Sequence, residues 1–283
     1  MRRPPTWLTA LRSGLFYLGY SLFTVLFCGT ALLFVPLLPP LTRFYYLRNW
    51  NRVILCWLRI CCGIKTQVEG LENIPPAPFV VLSKHQSPWD TIYLQLPFGP
   101  LSTVLKRELL SIPFFGWALA LIRPIPIDRD KPREALRQVM EAGKERLAAG
   151  VSILVFPEGT RIEPGQQGKY AKSGASIACS MGVPVLPVAL NAGLCWPAHG
   201  FLKYPGTIRV VIGPALPSSA VSSAQLTEHP REWIEQTERD IEWHRAELEK
   251  RPKIVRKTYK ILTLGVSGTG KTASASIGPT GGS

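Results

Sequence analysis

Acidic residues are scarce in this 283-residue chain: 19 Asp and Glu stand against 33 Lys and Arg, a formal charge of +14. That excess favours anionic partners, whether nucleic acid, an acidic membrane surface or a phosphorylated substrate. Motifs that read RNA or DNA are missing, as is zinc-finger spacing, which sets nucleic acid aside. The six cysteines (Cys28, Cys56, Cys61, Cys62, Cys179 and Cys195) include no CxxC pair. They read as reduced packing residues rather than metal ligands or a disulfide framework, and no metal or other cofactor is implied. No Gly-x-Ser-x-Gly elbow is present, so a serine-hydrolase nucleophile lacks its usual setting. What the chain has in quantity is apolar surface, 46% of its residues, enough for one full domain plus an appendage.

The longest apolar run, Leu15 to Leu38, carries no charge and ends at Pro36, Pro39 and Pro40. A membrane-spanning helix needs about 20 such residues. Arg2, Arg3 and Arg12 precede the run, as in a signal peptide, but it exceeds the ~7–15 residues of a signal core and no small-x-small cleavage site follows. A membrane anchor is the expectation. From Leu41 to Cys62 a helical period places Arg48, Asn51, Arg52 and Arg59 on one face. Tyr46, Trp50, Val53, Ile54, Trp57, Ile60 and Cys61 fall on the other. This pattern suits a helix lying in an anionic membrane surface, or one packed on a soluble domain. Arginines flank the first helix on both sides, so a hairpin that dips into one leaflet fits better than a single pass.

Beyond Gly63, β-rich runs at Phe79–Leu82, Leu101–Leu105, Val151–Phe156, Val183–Leu190 and Ile208–Ile212 alternate with helical stretches. Pro132 to Ala149 has Pro in its first turn and Gly150 just past its end; Ser173 to Met181 stops at Gly182; Pro230 to Lys250 spaces its apolar residues helically. The expected fold class is α/β: a largely parallel central sheet flanked by helices, with an N-terminal hydrophobic and amphipathic two-helix membrane element. The expected divisions are 1–65 for the anchoring helices, 66–250 for the catalytic domain, and 251–283 for a basic, then Gly/Ser/Thr-rich flexible tail.

Ligands of parallel sheets gather where strands end. After the first of these strands comes Ser83-Lys84-His85-Gln86-Ser87-Pro88-Trp89-Asp90. Ser87 and Pro88 read as an N-cap and first helical residue, so Asp90 falls in the first turn and can reach back to His85. An imidazole oriented and tautomer-locked by a carboxylate is a general base. Later strand ends deliver Lys106-Arg107-Glu108, then Asp128-Arg129 after Ile125-Pro126-Ile127, then Glu158-Gly159-Thr160-Arg161. Cations of both kinds at one sheet edge make a phosphate pocket. Gly159 lets backbone approach a ligand, and Glu158 is placed to orient a guanidinium or a substrate hydroxyl.

These residues resemble the 1-acylglycerol-3-phosphate acyltransferase (lysophosphatidic acid acyltransferase) family. The family's His, four residues, Asp signature matches His85 and Asp90. Its Phe-Pro-Glu-Gly-Thr-Arg block stands intact at Phe156 to Arg161. Its two-proline block is similar to Val183 to Val188, and its lysine-bearing stretch to Lys106 through Gly116. One block departs: Arg123 to Arg129 keeps Ile127 and Arg129 but has Arg123 for the usual glycine and Pro126 for the aromatic. That block is associated with the glycerol-phosphate end of the acceptor, so acceptor identity stays open between lysophosphatidic acid, lyso-ornithine lipid and glycerol 3-phosphate. The resemblance implies that His85 deprotonates the acceptor 2-hydroxyl, Asp90 orients His85, and an acyl-CoA or acyl-carrier-protein thioester is the donor. It further implies that Lys106, Arg129 and Arg161 hold the phosphate, with Glu158, Gly159 and Thr160 shaping the site. A cytoplasm-facing catalytic domain follows from where acyl thioesters are found.

Three other readings compete. Gly265 to Thr272 formally matches a P-loop, but a P-loop needs a helix after it and a second acidic strand, and the chain supplies neither. Ser83 or Ser87 as an acyl-accepting nucleophile competes with the simpler reading of Ser87 as a cap. A non-catalytic lipid-binding membrane protein explains the charge and the helices but leaves His85, Asp90 and the Glu158–Arg161 block as coincidence.

Overall fold

The computed structural model describes residues 6–128, 130–219 and 221–250, with backbone only for Pro132 and residues 243–250. Arg129, the P-loop-like segment and the expected tail lie outside the described residues. Helix α1 (Trp7–Phe34) starts at Thr6, whose Oγ1 accepts a bond from Thr9 N at 3.2 Å. With the 3₁₀ turn that follows, it forms a 31-residue stretch long and apolar enough to cross a membrane. Helix α2 (Pro40–Cys62) opens on a proline and closes at Gly63, whose left-handed φ of 67° suits glycine. The two helices pack closely: Trp57 Nε1 donates to Phe16 O at 3.2 Å, and an added Cβ on Gly19 would lie only 2.1 Å from the Trp57 ring.

Neither helix stands away from the rest of the chain. Along α1, Ser13, Phe16, Gly19, Thr24, Cys28 and Ala31 are buried, while Leu11, Leu18, Leu22, Leu26 and Leu33 are exposed. The polar stripe of α2 is not simply solvated, as a helix lying freely in an interface would have it. Asn51 is buried and Arg48 Nη1 reaches Leu96 O at 3.3 Å, because α2 packs on the α/β body. A second joint ties down α1. Lys203, 1% exposed, donates from Nζ to Tyr17 Oη at 2.7 Å and to Phe201 O at 2.9 Å, and its backbone N donates to Ser13 Oγ at 2.9 Å.

The body is a seven-stranded sheet of β1 (Ile64–Glu69), β2 (Val80–Ser83), β3 (Leu101–Lys106), β4 (Ile125–Ile127), β5 (Ser152–Val155), β6 (Val185–Leu190) and β7 (Gly206–Ile212). Its spatial order is β1-β7-β6-β2-β5-β3-β4. Every pairing is parallel except β6 with β7. β2, β5 and β6 are buried throughout, which is why they read as unbroken apolar runs. Helices α3 (Pro88–Tyr93), α4 (Phe115–Ala120), α5 (Pro132–Ala148), α6 (Ser173–Met181) and α7 (Gln225–Lys250) complete the fold. One apolar cluster joins α1 and α2 to one side of the sheet, and a second, with Val139, Ile177, Ile234 and Ile241, fills the other.

The expected strands and helices are present with small shifts of boundary. Two differences have local causes. β1 was not expected: only Ile64 of its six residues is buried, so it carries no apolar alternation. α7 begins five residues before Pro230, because Ser222 and Gln225 cap each other. Gln225 N donates to Ser222 Oγ at 3.2 Å and Ser222 N to Gln225 Oε1 at 3.0 Å.

Candidate active site

β2 lies at the centre of the sheet and delivers its next residues to the edge where parallel strands end. There Ser87, with extended backbone, and Pro88 at the first helical position stop the strand direction and start α3. Ser87 Oγ accepts from Trp89 N at 3.1 Å, and the Asp90 side chain returns to the Ser87 backbone, closing a capping box. A single oxygen, Asp90 Oδ2, accepts from Ser87 N at 2.8 Å, Gln86 N at 2.7 Å and His85 Nδ1 at 3.0 Å. Asp90 is fully buried and His85 nearly so. A carboxylate can only accept, so Nδ1 carries a proton and Nε2 is the ring nitrogen left unbonded to Asp90.

His85 is held at every other point as well. Its ring stacks on Phe156 with centroids 3.9 Å apart and planes 20° from parallel. Its backbone N donates to Glu158 Oε2 at 3.1 Å, and its carbonyl accepts from Ile162 N at 2.8 Å. Phe156, Glu158 and Ile162 all belong to the segment leaving β5, the strand beside β2. The Pro-Glu-Gly-Thr-Arg block therefore lies directly against the histidine.

The sequence-predicted residues divide by place. Glu158 has a fully enclosed side chain, with Lys84 Nζ 3.0 Å from its Oε1. Burial raises its pKa above the ordinary carboxylate range, against the pull of Lys84 and the His85 N–H. This enclosed carboxylate lies against Lys84 and the His85 backbone. Gly159 and Thr160 are exposed on a tight turn in which Gly159 N donates to Phe156 O at 3.0 Å. Gly159 is required there by its φ of +67°, since an added Cβ would meet nothing within 4 Å. Arg161 is half-buried next to Ile162. Lys106 ends β3, two strands from β2, half-exposed and 3.0 Å from Glu108 Oε1. Arg129 lies outside the described residues.

An apolar cavity has Thr91, the residue after Asp90, in its wall. It passes Ile92, Leu105, Trp50 of α2, Cys28 of α1 and Ala118 of α4. The membrane-type helices thus form part of the wall of a space that also touches α3, the helix that carries Asp90.

Sequence reasoning missed the residues that flank His85 and what they hold. Lys84 and Gln86 are buried completely and reach Glu235 and Glu238 of α7. The available signal was helical phase. At about 100° per residue, Glu238 falls about 40° from Ile234, inside the apolar stripe of its helix.

The acyltransferase family profile matches residues 65–191. A 1-acyl-sn-glycerol-3-phosphate acyltransferase of Pseudomonas aeruginosa is 47% identical over 236 residues, covering 82% of this chain and 92% of the relative. The human 1-acyl-sn-glycerol-3-phosphate acyltransferase alpha is 31% identical over 180 residues, 62% of this chain and 61% of its own length. Among solved structures, the 1-acyl-sn-glycerophosphate (LPA) acyltransferase PlsC of Thermotoga maritima superposes with a TM-score of 0.68 at 26% identity, covering 86% of this chain and 96% of that one. The chain belongs to the 1-acyl-sn-glycerol-3-phosphate acyltransferase family.

Proposed function

We propose that this protein transfers an acyl chain from an acyl-CoA or acyl-carrier-protein thioester to the 2-hydroxyl of 1-acylglycerol 3-phosphate, giving phosphatidic acid. The observation that carries the reading is an imidazole whose Nδ1 is committed to a buried carboxylate, on a helix whose next residues, Thr91 and Ile92, line an apolar cavity. His85 Nε2 takes the hydroxyl proton as the acceptor oxygen attacks the thioester carbonyl. The tetrahedral intermediate then expels the thiolate, which recovers that proton from the imidazolium and leaves as a thiol. Asp90 keeps the ring in the correct tautomer and stabilises its cationic form; a positioned base of this kind contributes roughly 10²–10⁴-fold.

Lys106, Arg129 and Arg161 are assigned to the phosphate, with Gly159 and Thr160 shaping the exposed rim and Glu158 bracing His85. The cavity takes an acyl chain. Residues 1–65 are assigned to anchoring: the exposed leucines of α1, with Val53 and Ile60 of α2, face lipid, and the catalytic body faces the cytoplasm, where the donor is found. Because α1 is buried on one side along much of its length, a one-leaflet attachment is favoured over a helix crossing alone. Acyl transfer from a labelled thioester to lysophosphatidic acid in liposomes, comparing the unaltered protein with His85→Ala, tests the assignment. Phosphatidic acid formed by the first and reduced at least about 100-fold in the second is expected. Equal rates would remove His85 from the chemistry; no product from either would move the acceptor to another lysolipid.

A further inference from the structure

The two residues on either side of His85 are both tied to one distant helix. Lys84 Nζ lies 2.8 Å from Glu235 Oε1, 3.2 Å from Glu238 Oε2 and 3.0 Å from Glu158 Oε1, and it donates to Gln166 O at 2.9 Å. Gln86 Nε2 donates to Glu238 Oε1, while Gln86 Oε1 accepts from Gly193 N at 3.1 Å. Tyr170 Oη donates to Glu235 at 3.1 Å, and Gly165 N to Glu238 at 3.4 Å. Lys84 and Gln86 thus converge on one carboxylate, Glu238, while His85 between them turns to Asp90 and Phe156. Alternate residues of an extended segment point to opposite sides. Holding residues 84 and 86 from one side therefore fixes the direction in which residue 85 points.

Stability is a weak reason for this cluster. One ammonium faces three carboxylates in a space closed to water, and buried ion pairs tend to be no better for stability than apolar side chains of the same volume. Desolvation opposes the charge on Lys84, but the carboxylates outweigh it and raise its pKa. Burial pushes Glu238 up to about 7, with Lys84 pulling the other way. What the arrangement supplies is fixed geometry between α7 and the histidine. In a reaction that needs aligned atoms, a displacement of about 1 Å can cost on the order of 10²-fold in rate.

We propose that Glu238, supported by Glu235, is a positioning residue for acyl transfer: through Lys84 and Gln86 it grips both neighbours of His85 and sets where Nε2 stands relative to the acceptor hydroxyl. The proposal rests on the reading of His85 as the general base. It also separates α7 from substrate: loss of the grip lowers kcat and leaves the acceptor KM nearly unchanged.

The test is the Glu238→Gln substitution in the full-length protein, alone and combined with Gln86→Glu. The single variant leaves one amide NH₂ facing another donor, either the Gln86 NH₂ or the Lys84 ammonium, because the Gln86 oxygen is already taken by Gly193. The double variant restores a carboxylate opposite an amide, keeps an oxygen for Lys84 and leaves the net charge unchanged. With lysophosphatidic acid liposomes, Glu238→Gln is expected to lower kcat at least about tenfold, with the acceptor KM within about threefold of the unaltered protein. The double variant is expected to recover kcat to within about threefold. A folded Glu238→Gln with unaltered kcat overturns the proposal, as does a loss confined to KM. So does a kcat that the double variant fails to recover although its circular dichroism and melting match the unaltered protein. Carbethoxylation of His85 by diethylpyrocarbonate, followed by mass spectrometry, requires no turnover. Its rate is expected to change at least about threefold in Glu238→Gln and to return in the double variant. An unchanged rate overturns the grip, whereas a changed rate in a protein inactive on every lysolipid supports it and places the fault in the assigned reaction.

Discussion

Asp90 does two jobs with one oxygen, and two substitutions separate them. Asp90→Ala removes the acceptor for Gln86 N, Ser87 N and His85 Nδ1 together. Gln86 and Ser87 are fully buried, and each orphaned buried donor costs roughly 1–3 kcal/mol. Two such N–H groups give a loss of roughly 2–6 kcal/mol, or on the order of 10 °C in melting temperature at about 2–4 °C per kcal/mol for a protein of this size. Asp90→Asn keeps an oxygen in the same place for the two backbone donors, so its loss is roughly 1 kcal/mol. For catalysis the two converge. The amide carries no charge to stabilise an imidazolium, so both variants are expected to lose on the order of 10²–10⁴ in kcat. Thermal unfolding in detergent and acyl transfer in liposomes, measured on the same preparations, read out the pair. Near-normal turnover in Asp90→Asn would refute the stabilisation of the imidazolium by the Asp90 charge. Equal melting of the two variants would refute the account of Asp90 as the acceptor that starts α3.

Ala118, 2% exposed in the cavity wall, gives a second prediction: Ala118→Phe displaces two to four methylenes of a long acyl chain at about 0.8 kcal/mol each. A fall of roughly 15–200-fold in kcat/KM for long-chain donors, with short-chain donors spared, is expected in a donor-length series; a uniform loss would count against the cavity as the chain's seat. Lys203 gives a third. Burial lowers its pKa from the ordinary 10.5 to about 8, so between those values the unfolded chain holds more protons and stability rises with pH. Below pH 8 the cost of the buried charge is constant at roughly 3 kcal/mol. Replacing Lys203 with Met removes that cost and roughly 2 kcal/mol of hydrogen bonds. The variant should therefore melt slightly above the unaltered protein at pH 7 and below it at pH 10; a difference independent of pH would show that Lys203 does not titrate in this range.

The parts of the fold legible in the sequence are those governed by neighbours along the chain. Ser87-Pro88-Trp89-Asp90 announces its capping box through spacing alone, and Ser173 to Met181 reads as a helix because Gly182 ends it. β2, β5 and β6 show as apolar runs because both faces of the central sheet are covered. β1 escaped notice because an edge strand paired only with β7 needs one buried residue, Ile64, and no alternation. The enclosure of Glu158 is illegible for a different reason: a carboxylate beside a strand end looks available to substrate, and only the folded chain puts Lys84 in front of it. Glu235 and Glu238 lie about 150 residues from the histidine they serve. No local pattern links such positions, although Glu238 on an apolar stripe was a visible anomaly.

The grip of α7 on the residues around His85 also has a meaning in time. A chain emerging from the ribosome presents α1 and α2 first, then the strand that carries His85 and the helix that carries Asp90, and only near residue 238 the helix that holds them in line. Domains form as their segments become available. A nascent chain can therefore reach a lipid surface well before its histidine is aligned. A chain cut short before α7 is expected to keep the α1–α2 pair yet turn over little substrate.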